Sequence, residues 1–461
     1  MITGVETYIP FLRVDRSEIS SQWQLGGRKV RSEKPVASFD EDVITLGYES
    51  AYRLLKNNNK SIDCLIFSST TMPYLEKSSS AILSAALDLP YILMKLFLCG
   101  SFSYSFSSLN VADSFLKSGQ YKNILLIFAD TRRALPYSDH DISFADGAAS
   151  VLLSSSCEPQ FSIKAKLAYT DETIDFFRRD GERNSEILEE RQATTNQAIP
   201  MVRKAVEIFF KGNSILPESI SRVIVGAPSV AIKRGIERLF KDKAKDDIEN
   251  LGLFGTAHPF ILLSYLTAVL KKGEKILLIG YGGGVDITLL EVEKEDKSPH
   301  SRILQLLSEK RNITYSIYLR LCGYFGEKTL QETETSVPMI SREMKQNLRL
   351  WGQRCENETC NAVQFPQQRR CSVCGSNKLV EQKLSKTGKV FTFTKDYLTA
   401  YSEILPPTIM TVVQVDGGGR MYLQMTDSDG EVAIGDRVEL TLRRVNIASN
   451  MINYFWKARK I

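Results

Sequence analysis

Histidine is scarce in this 461-residue chain: His140, His258 and His300 are the only three. Histidine is the commonest general base at neutral pH, so a base-assisted nucleophile has few partners to choose from. Long apolar runs are also missing. The richest stretch, 91–98, is far short of the roughly 18 residues of a membrane span and contains Lys95, so no membrane partner is expected. The start, Met1-Ile2-Thr3-Gly4-Val5-Glu6, has no basic segment ahead of an apolar core, which argues against a signal peptide. Charge of one sign is not in strong excess. The 59 basic and 54 acidic residues leave a net +5, too mild for a nucleic-acid footprint. Eight cysteines form no disulfide framework in a chain this long. Four are scattered and four cluster late, which fits a reducing, cytoplasmic compartment.

At 43% hydrophobic and 25% charged, the composition is that of an ordinary globular protein. The length suits two or three domains. A basic stretch (Arg28, Lys29, Arg31, Lys34), read as exposed, precedes a helix expected over about 42–56, led by Asp40-Glu41-Asp42 at the positive end of its dipole. A buried strand over 63–68 holds Cys64 as a small apolar residue. After Thr131-Arg132-Arg133, His140 reads as a loop histidine whose neighbours Asp139 and Asp141 would raise its pKa if close. Further helices are expected over 195–210, 230–241, 259–270, 303–310 and 315–321, with strands over 222–225 and 275–280. The triple glycine 282–284 has no Gly-x-Gly-x-x-Gly and opens no helix, so it reads as a tight turn with close backbone approach. The segment 332–338 reads as a linker.

One stretch organises the rest. Leu96-Phe97-Leu98-Cys99 is a short strand, Gly100-Ser101-Phe102-Ser103 a turn, and Leu109, Ala112 and Leu116 mark one face of a helix. A second strand, Asn123 to Asp130, makes the unit a right-handed parallel crossover. The turn at such a helix N-terminus favours negative charge and suits a nucleophile.

This stretch resembles the nucleophile segment of the thiolase superfamily. Tyr8-Ile9-Pro10, Phe39-Asp40-Glu41-Asp42-Val43-Ile44-Thr45 and Ser69-Thr70-Thr71-Met72-Pro73-Tyr74-Leu75-Glu76-Lys77 are similar to archaeal-type 3-hydroxy-3-methylglutaryl-CoA synthases. Type-three ketoacyl-ACP synthases are slightly more distant. Ser143-Phe144-Ala145-Asp146-Gly147-Ala148-Ala149 resembles a scaffold segment of the superfamily. The resemblance implies a duplicated α/β (αβαβα) fold, acyl transfer to a cysteine, carbon–carbon bond formation, and coenzyme A or acyl-carrier-protein pantetheine as acyl carrier. The family dimerises through its central sheet, which implies a homodimer or a heteromer with an active thiolase or ketosynthase homologue.

The departures from the family are chemical. Counting from Leu109, its catalytic Cys falls on Phe102; counting from Leu87 it falls on Ser101, and Cys99 lies too early under either count. Its acid/base Glu falls on Thr70, its His on Gly226 of Val225-Gly226-Ala227-Pro228-Ser229, and its Asn on Leu253 of Gly252-Leu253-Phe254-Gly255. The thiolate is the nucleophile, the Glu moves a proton, and His and Asn stabilise an oxyanion, the last worth roughly 10²–10³ in rate per donor. Ser101, Cys99 and His258, which lies five residues after the Asn position, are the remaining catalytic candidates.

Near the C-terminus, Cys355-x4-Cys360-x10-Cys371-x2-Cys374 offers two thiol pairs around one tetrahedral zinc. Four thiolates leave no open position, so the zinc is structural. Trp351 is placed in a helix leading into Cys355, and strands are expected over 388–394, 409–415, 420–425 and 434–440, with a turn at Asp416-Gly417-Gly418-Gly419. Ribbon plus about five strands resembles the rubredoxin-like zinc ribbon and OB-fold modules that accompany acyl-CoA thiolases. Phe365-Pro366 fits that family.

The expected domains are thiolase-like 1–300, helical extension and linker 301–340, zinc ribbon 341–380 and all-β OB-fold 381–461. The leading functional reading is an acyl-CoA or acyl-ACP handling subunit of a condensing system, a pseudoenzyme completing an active homologue. The alternatives are an active acyltransferase using Ser101 or Cys99, and an OB-fold scaffold or nucleic-acid binder presenting Tyr397, Tyr401, Tyr422 and Tyr454.

Overall fold

The computed structural model describes residues 1–23, 32–56, 58, 60–325, 330, 332–334, 336–398 and 406–461. The chain divides into two compact units. One comprises Met1–Ala37, Asp42–Leu83 and Leu89–Tyr318; the other comprises Ser38–Glu41, Ser84–Asp88 and Leu319–Ile461.

The strands of the first unit are β1 Ile2–Tyr8, β2 Leu12–Asp15, β3 Glu33–Val36, β4 Cys64–Ser69, β5 Met94–Cys99, β6 Asn123–Asp130, β7 Gly147–Ser154, β8 Phe161–Thr170, β9 Arg222–Gly226, β10 Lys275–Tyr281, β11 Gly284–Val292 and β12 Arg311–Ile313. Nine form one sheet in the order β5-β4-β6-β7-β1-β8-β11-β10-β9. Within it β4 runs parallel to β5 and β6, and β9 parallel to β10, while β7 and β11 are antiparallel to their neighbours. Read outward from the β1–β8 junction, β1-β7-β6-β4 and β8-β11-β10-β9 are the same arrangement twice, which is the duplication the sequence implied. Among the described strands, β5 has no counterpart in the second half. The strands β4, β6, β9 and β10 carry near-continuous apolar runs, as expected of sheet interiors covered on both faces.

The helix Val43–Lys56 begins where expected, because Asp42 Oδ1 accepts the Ile44 and Thr45 N–H groups at 2.9 and 3.1 Å. The helix expected over 195–210 runs longer, from Glu190 to Asn213, and passes through a wide turn at Ala193–Ala198. Gly283, at φ +64°, makes the turn between β10 and β11. Two expectations fail. Arg28, Lys29 and Arg31 lie outside the described residues, but Lys34 is fully buried, with its ammonium 3.3 Å from Asp141 Oδ1 and over the Tyr318 ring. His140 lies in the short helix Asp139–Ser143, between the rings of Phe144 and Phe176. Burial lowers its pKa, with Glu190 opposing, so Asp139 does not set the direction.

The strands of the second unit are β13 Glu332–Thr333, β14 Trp351–Cys355, β15 Val363–Gln364, β16 Leu379–Lys383, β17 Thr387–Asp396, β18 Thr408–Val415, β19 Arg420–Gln424, β20 Arg437–Ala448 and β21 Met451–Lys460. A small sheet β15-β14-β16 holds the cysteines. The pairings β20-β17-β18-β19 and β20–β21 are closed into a barrel by the bridge between Met425 and Ala458 and by Thr426 N–H to Ala458 O at 2.9 Å. This is the OB-fold. Trp351 opens a strand, not a helix: the helix Val337–Arg349 stops at Leu350, which takes φ +56°. The linker segment forms β13 and the start of that helix. The strand expected from 434 begins at Arg437, because Gly435 at φ +93° turns the chain first. Tyr397 and Tyr422 are exposed, Tyr454 is buried, and Tyr401 lies outside the described residues.

Candidate functional site

In each half the parallel strands deliver their C-terminal ends to one rim of the sheet, where α/β folds place their sites. The turn after β5 carries Gly100 at φ +104°, then Ser101, Phe102 and Ser103, and leads into the helix Tyr104–Lys117. Ser101 Oγ donates to Gly282 O at 3.0 Å and lies 3.2 Å from Ser103 Oγ, which donates to the same carbonyl at 2.8 Å. Ser101 is therefore brought onto the glycine turn after β10. Cys99 ends β5 with an exposed thiol, in register with Ser69.

The other family positions meet at the same rim. A Cβ on Gly226 would lie 3.2 Å from the Phe102 ring, 3.0 Å from the Phe106 ring and 2.7 Å from Pro259. Thus Phe102, one of the two residues counted to the Cys position, faces Gly226, the residue counted to the His position. Thr70 donates both its N–H (2.7 Å) and its hydroxyl (2.9 Å) to Asp130 Oδ1. Leu253 is buried, and its backbone bonds Ser143 O and Ala145 N–H. His258 does not join Ser101. It is fully buried, with Nε2 3.1 Å from Asp246 Oδ2, the oxygen that also takes Lys233 Nζ at 2.6 Å. Burial pushes the Asp246 carboxyl up, but His258 and Lys233 outweigh it and hold it far below the usual range.

Two residues central to the rim carry no obvious sequence signal. Asp130, at the end of β6, is fully buried. Its Oδ1 accepts Ser69 Oγ (3.1 Å), Thr71 Oγ1 (3.0 Å) and both Thr70 donors, while Oδ2 accepts Thr256 N–H at 2.7 Å. It ties the end of β4 to the loop after Leu253. Arg132 is also buried, and its Nη1 donates to Pro228 O at 2.7 Å. A lone acid closing the apolar run 124–129 was the available clue to Asp130.

Elsewhere in this unit a cleft of about 1020 Å³ is lined by Arg16, Arg191, Arg234 and Arg238, by the acids Asp139, Glu190 and Glu249, and by Val230 and Ala231 just beyond the Gly226 loop. Arg234 is paired with Glu249. Arg191 and Arg238 have no ion-pair partner among the described residues, and the four arginines of the lining exceed its three acids by one.

In the second unit the sulfurs of Cys355, Cys360, Cys371 and Cys374 all lie within 4.8 Å of one another. Two of the separations are 3.6 and 3.7 Å. Zn–S bonds of about 2.3 Å in a tetrahedron require sulfurs about 3.8 Å apart, so the donor set fits zinc. N–H groups of Cys374 and Val373 point at the Cys371 sulfur and bring its thiol down to about 7, while the thiols of Cys355 and Cys360 are raised beside their neighbouring sulfurs.

Comparison with known proteins agrees with this geometry. Residues 98–171 match the family model of 3-oxoacyl-[acyl-carrier-protein] synthase III, and residues 381–443 that of the ChsH2 C-terminal OB-fold domain. The hydroxymethylglutaryl-CoA synthase of Thermococcus sibiricus is 25% identical over 357 residues, covering 70% of this chain and 96% of its own. The crystal structure of 3-oxoacyl-[acyl-carrier-protein] synthase III from Aquifex aeolicus VF5 superposes with a TM-score of 0.55 at 22% identity, covering 63% of this chain and 99% of that one. An HMG-CoA synthase crystallised with CoA reaches a TM-score of 0.62 at 15% identity, covering 69% of this chain and 89% of that one. By fold and by these likenesses the chain is condensing-enzyme-like, a thiolase-like α/β domain joined to a C-terminal OB-fold domain.

Proposed function

We propose that this chain binds acyl-CoA or acyl-ACP within a carbon–carbon bond-forming acyltransferase system, and that its own centre does not run the condensation. The observation that carries the reading is the fit of Phe102 and Phe106 against Gly226 and Gly280. The Phe102 and Phe106 rings pack against Gly226, and Phe106 against Gly280, which supports reading this space as filled by aromatic rings in place of a nucleophile and oxyanion donors. Thr70, at the acid/base position, has its hydroxyl committed to Asp130. Among the described residues Ser101 hydrogen-bonds no base: its partners are Gly282 O and Ser103, and a serine without one is a weak nucleophile.

What remains is a binding scaffold. The cleft with Arg191 and Arg238 suits the phosphates of coenzyme A, the molecule crystallised with one structural relative. Strand β5 is the open edge of the sheet, with half-buried Met94, Leu96, Phe97 and Leu98. An edge of that kind pairs with another strand. A second copy or an active homologue is the partner, and the chain completes or supports that partner's site. The four cysteines hold a structural zinc.

Intact-protein mass spectrometry after incubation with acetyl-CoA and longer acyl-CoAs, alone and with a co-purifying homologue, tests the reading. No adduct on this chain, with one on the homologue, is the expected result. A stable adduct on Ser101 or Cys99 would instead make the chain an active acyltransferase with a displaced nucleophile.

A further inference from the structure

At the end of the sheet away from the Ser101 turn, β7 finishes at Ser154 and the chain passes through Ser155, Ser156 and Cys157 on its way to β8. Lys60 lies at the same end, in the approach to β4. Cys157 is exposed and Lys60 is half-buried. Lys60 Nζ lies 2.6 Å from Cys157 Sγ and donates to Ser154 Oγ at 3.0 Å. Ser154 Oγ in turn donates to Asn123 Oδ1 at 2.7 Å and accepts the Ser156 N–H at 3.2 Å. The amine is therefore held against the sulfur by a serine that is itself fixed between β6 and β7.

Two observations distinguish this pair from an ordinary surface contact. The first is the separation. N–H···O bonds run at about 2.7–3.2 Å between heavy atoms, and a bond to the larger sulfur atom is longer still. At 2.6 Å the nitrogen and sulfur are closer than that, as two atoms joined through a third one are. The second is the company the amine keeps. No carboxylate lies within ion-pair distance of Lys60 among the described residues, so its partners are a thiol and a hydroxyl. Cys99 offers the contrast: its thiol is also exposed, but no lysine is bonded to it among the described residues.

We propose that Lys60 and Cys157 form a modification site, which a peroxide closes into a covalent N–O–S bridge between the two side chains. The first hydrogen peroxide oxidises the Cys157 thiol to a sulfenic acid and leaves as water. The second breaks its O–O bond as the Lys60 amine nitrogen bonds to the sulfenic oxygen. The amine gives up one hydrogen and the sulfenic acid its own, and two more waters form. Four electrons leave the pair in all, two to each peroxide. A thiol reductant returns them and restores the amine and the thiol with release of water. The bridge ties the approach to β4 to the turn between β7 and β8. It stands on the far side of the sheet from Ser101, and nothing in it depends on the acyl-thioester reading above.

Intact-mass and peptide-mapping measurements on the whole chain, freed of reductant and treated with hydrogen peroxide, decide it. The native chain gains about 14 Da, one oxygen added and two hydrogens lost, on a crosslinked pair of peptides carrying Lys60 and Cys157, and dithiothreitol removes the gain. Lys60→Arg and Cys157→Ser both lose the crosslink. In Lys60→Arg, Cys157 gains whole oxygens of about 16 Da each, as Cys99 does in the native chain. Three results overturn the proposal: whole-oxygen gains alone at Cys157 in the native chain, a crosslink that contains no oxygen and is lighter by about 2 Da, or a crosslink that survives in Lys60→Arg.

Discussion

Phe106 lies over Gly280 so closely that a Cβ there would fall 2.3 Å from its ring Cδ2. The two residues are fitted to one another, one supplying bulk and the other its absence. Gly280→Ala therefore overpacks the core and costs about 1–3 kcal/mol, read as a fall in melting temperature. Adding Phe106→Leu relieves the clash and recovers part of the loss. A Gly280→Ala protein as stable as the native chain would show that the fit is loose.

Asp130 is the common acceptor of the rim. Asp130→Asn keeps its shape but turns one acceptor oxygen into a donor facing donors, so it costs about 2–4 kcal/mol. Hydrogen exchange should quicken at the Thr70 and Thr256 amides, which Asp130 accepts. Unchanged exchange at both would remove Asp130 from this role.

Cys99 lies at the exposed end of β5, outside the Ser101 turn. Cys99→Ala leaves acyl-CoA binding, and any acyl transfer, at the native level. Complete loss of either in a binding or adduct assay would place the thiol inside the site.

The cysteine cluster is tested by metal content. Elemental analysis should find one zinc per chain, and Cys371→Ser should abolish it. That substitution unfolds the C-terminal module and leaves the α/β unit folded, visible as two separated thermal transitions. Equal loss of both in one transition would show that the two do not melt separately.

Glu41 lies among Arg443, Asp427 and Asp40, and burial raises its carboxyl to about 7 against the pull of Arg443. A carboxyl bound more tightly in the folded state stabilises at low pH, and that contribution is lost as pH rises from about 4.5 to 7. Asp40 works the other way: burial raises its carboxyl, but Lys457 and Arg443 outweigh it, so its contribution is lost only toward acid. Glu41→Gln should flatten the decline above pH 5 in denaturant titrations of the second unit. A decline as steep as the native one would assign it to another group.

Much of the fold was legible because it rests on local repetition. Apolar runs marked β4, β6, β9 and β10, and two thiol pairs marked the ribbon. At the rim, counting from neighbouring residues singled out Phe102 or Ser101, Thr70 and Gly226, and the structure brings Phe102 against Gly226. Pairings across long separations were not legible. Lys34 looks like a surface lysine until Asp141, more than a hundred residues away, neutralises it inside the protein. Asp130 and Arg132 are single charges at a strand end, a pattern that solvated residues share. β21 alternates apolar residues with Lys457 and Arg459, whose partners Asp40, Asp427 and Glu439 lie on other segments. His258 drew attention by its rarity and proved to belong to a buried charge cluster with Lys233 and Asp246.

The nine-stranded sheet has a half-exposed edge at β5, while β9, at its opposite end, is buried along most of its length. Among the described strands of this sheet, β5 is thus the more accessible edge for joining strand to strand. Two sheets that meet through β5 use up that edge of each, and a third finds no second one like it. For this sheet, pairing through β5 would therefore close a pair rather than extend a fibre.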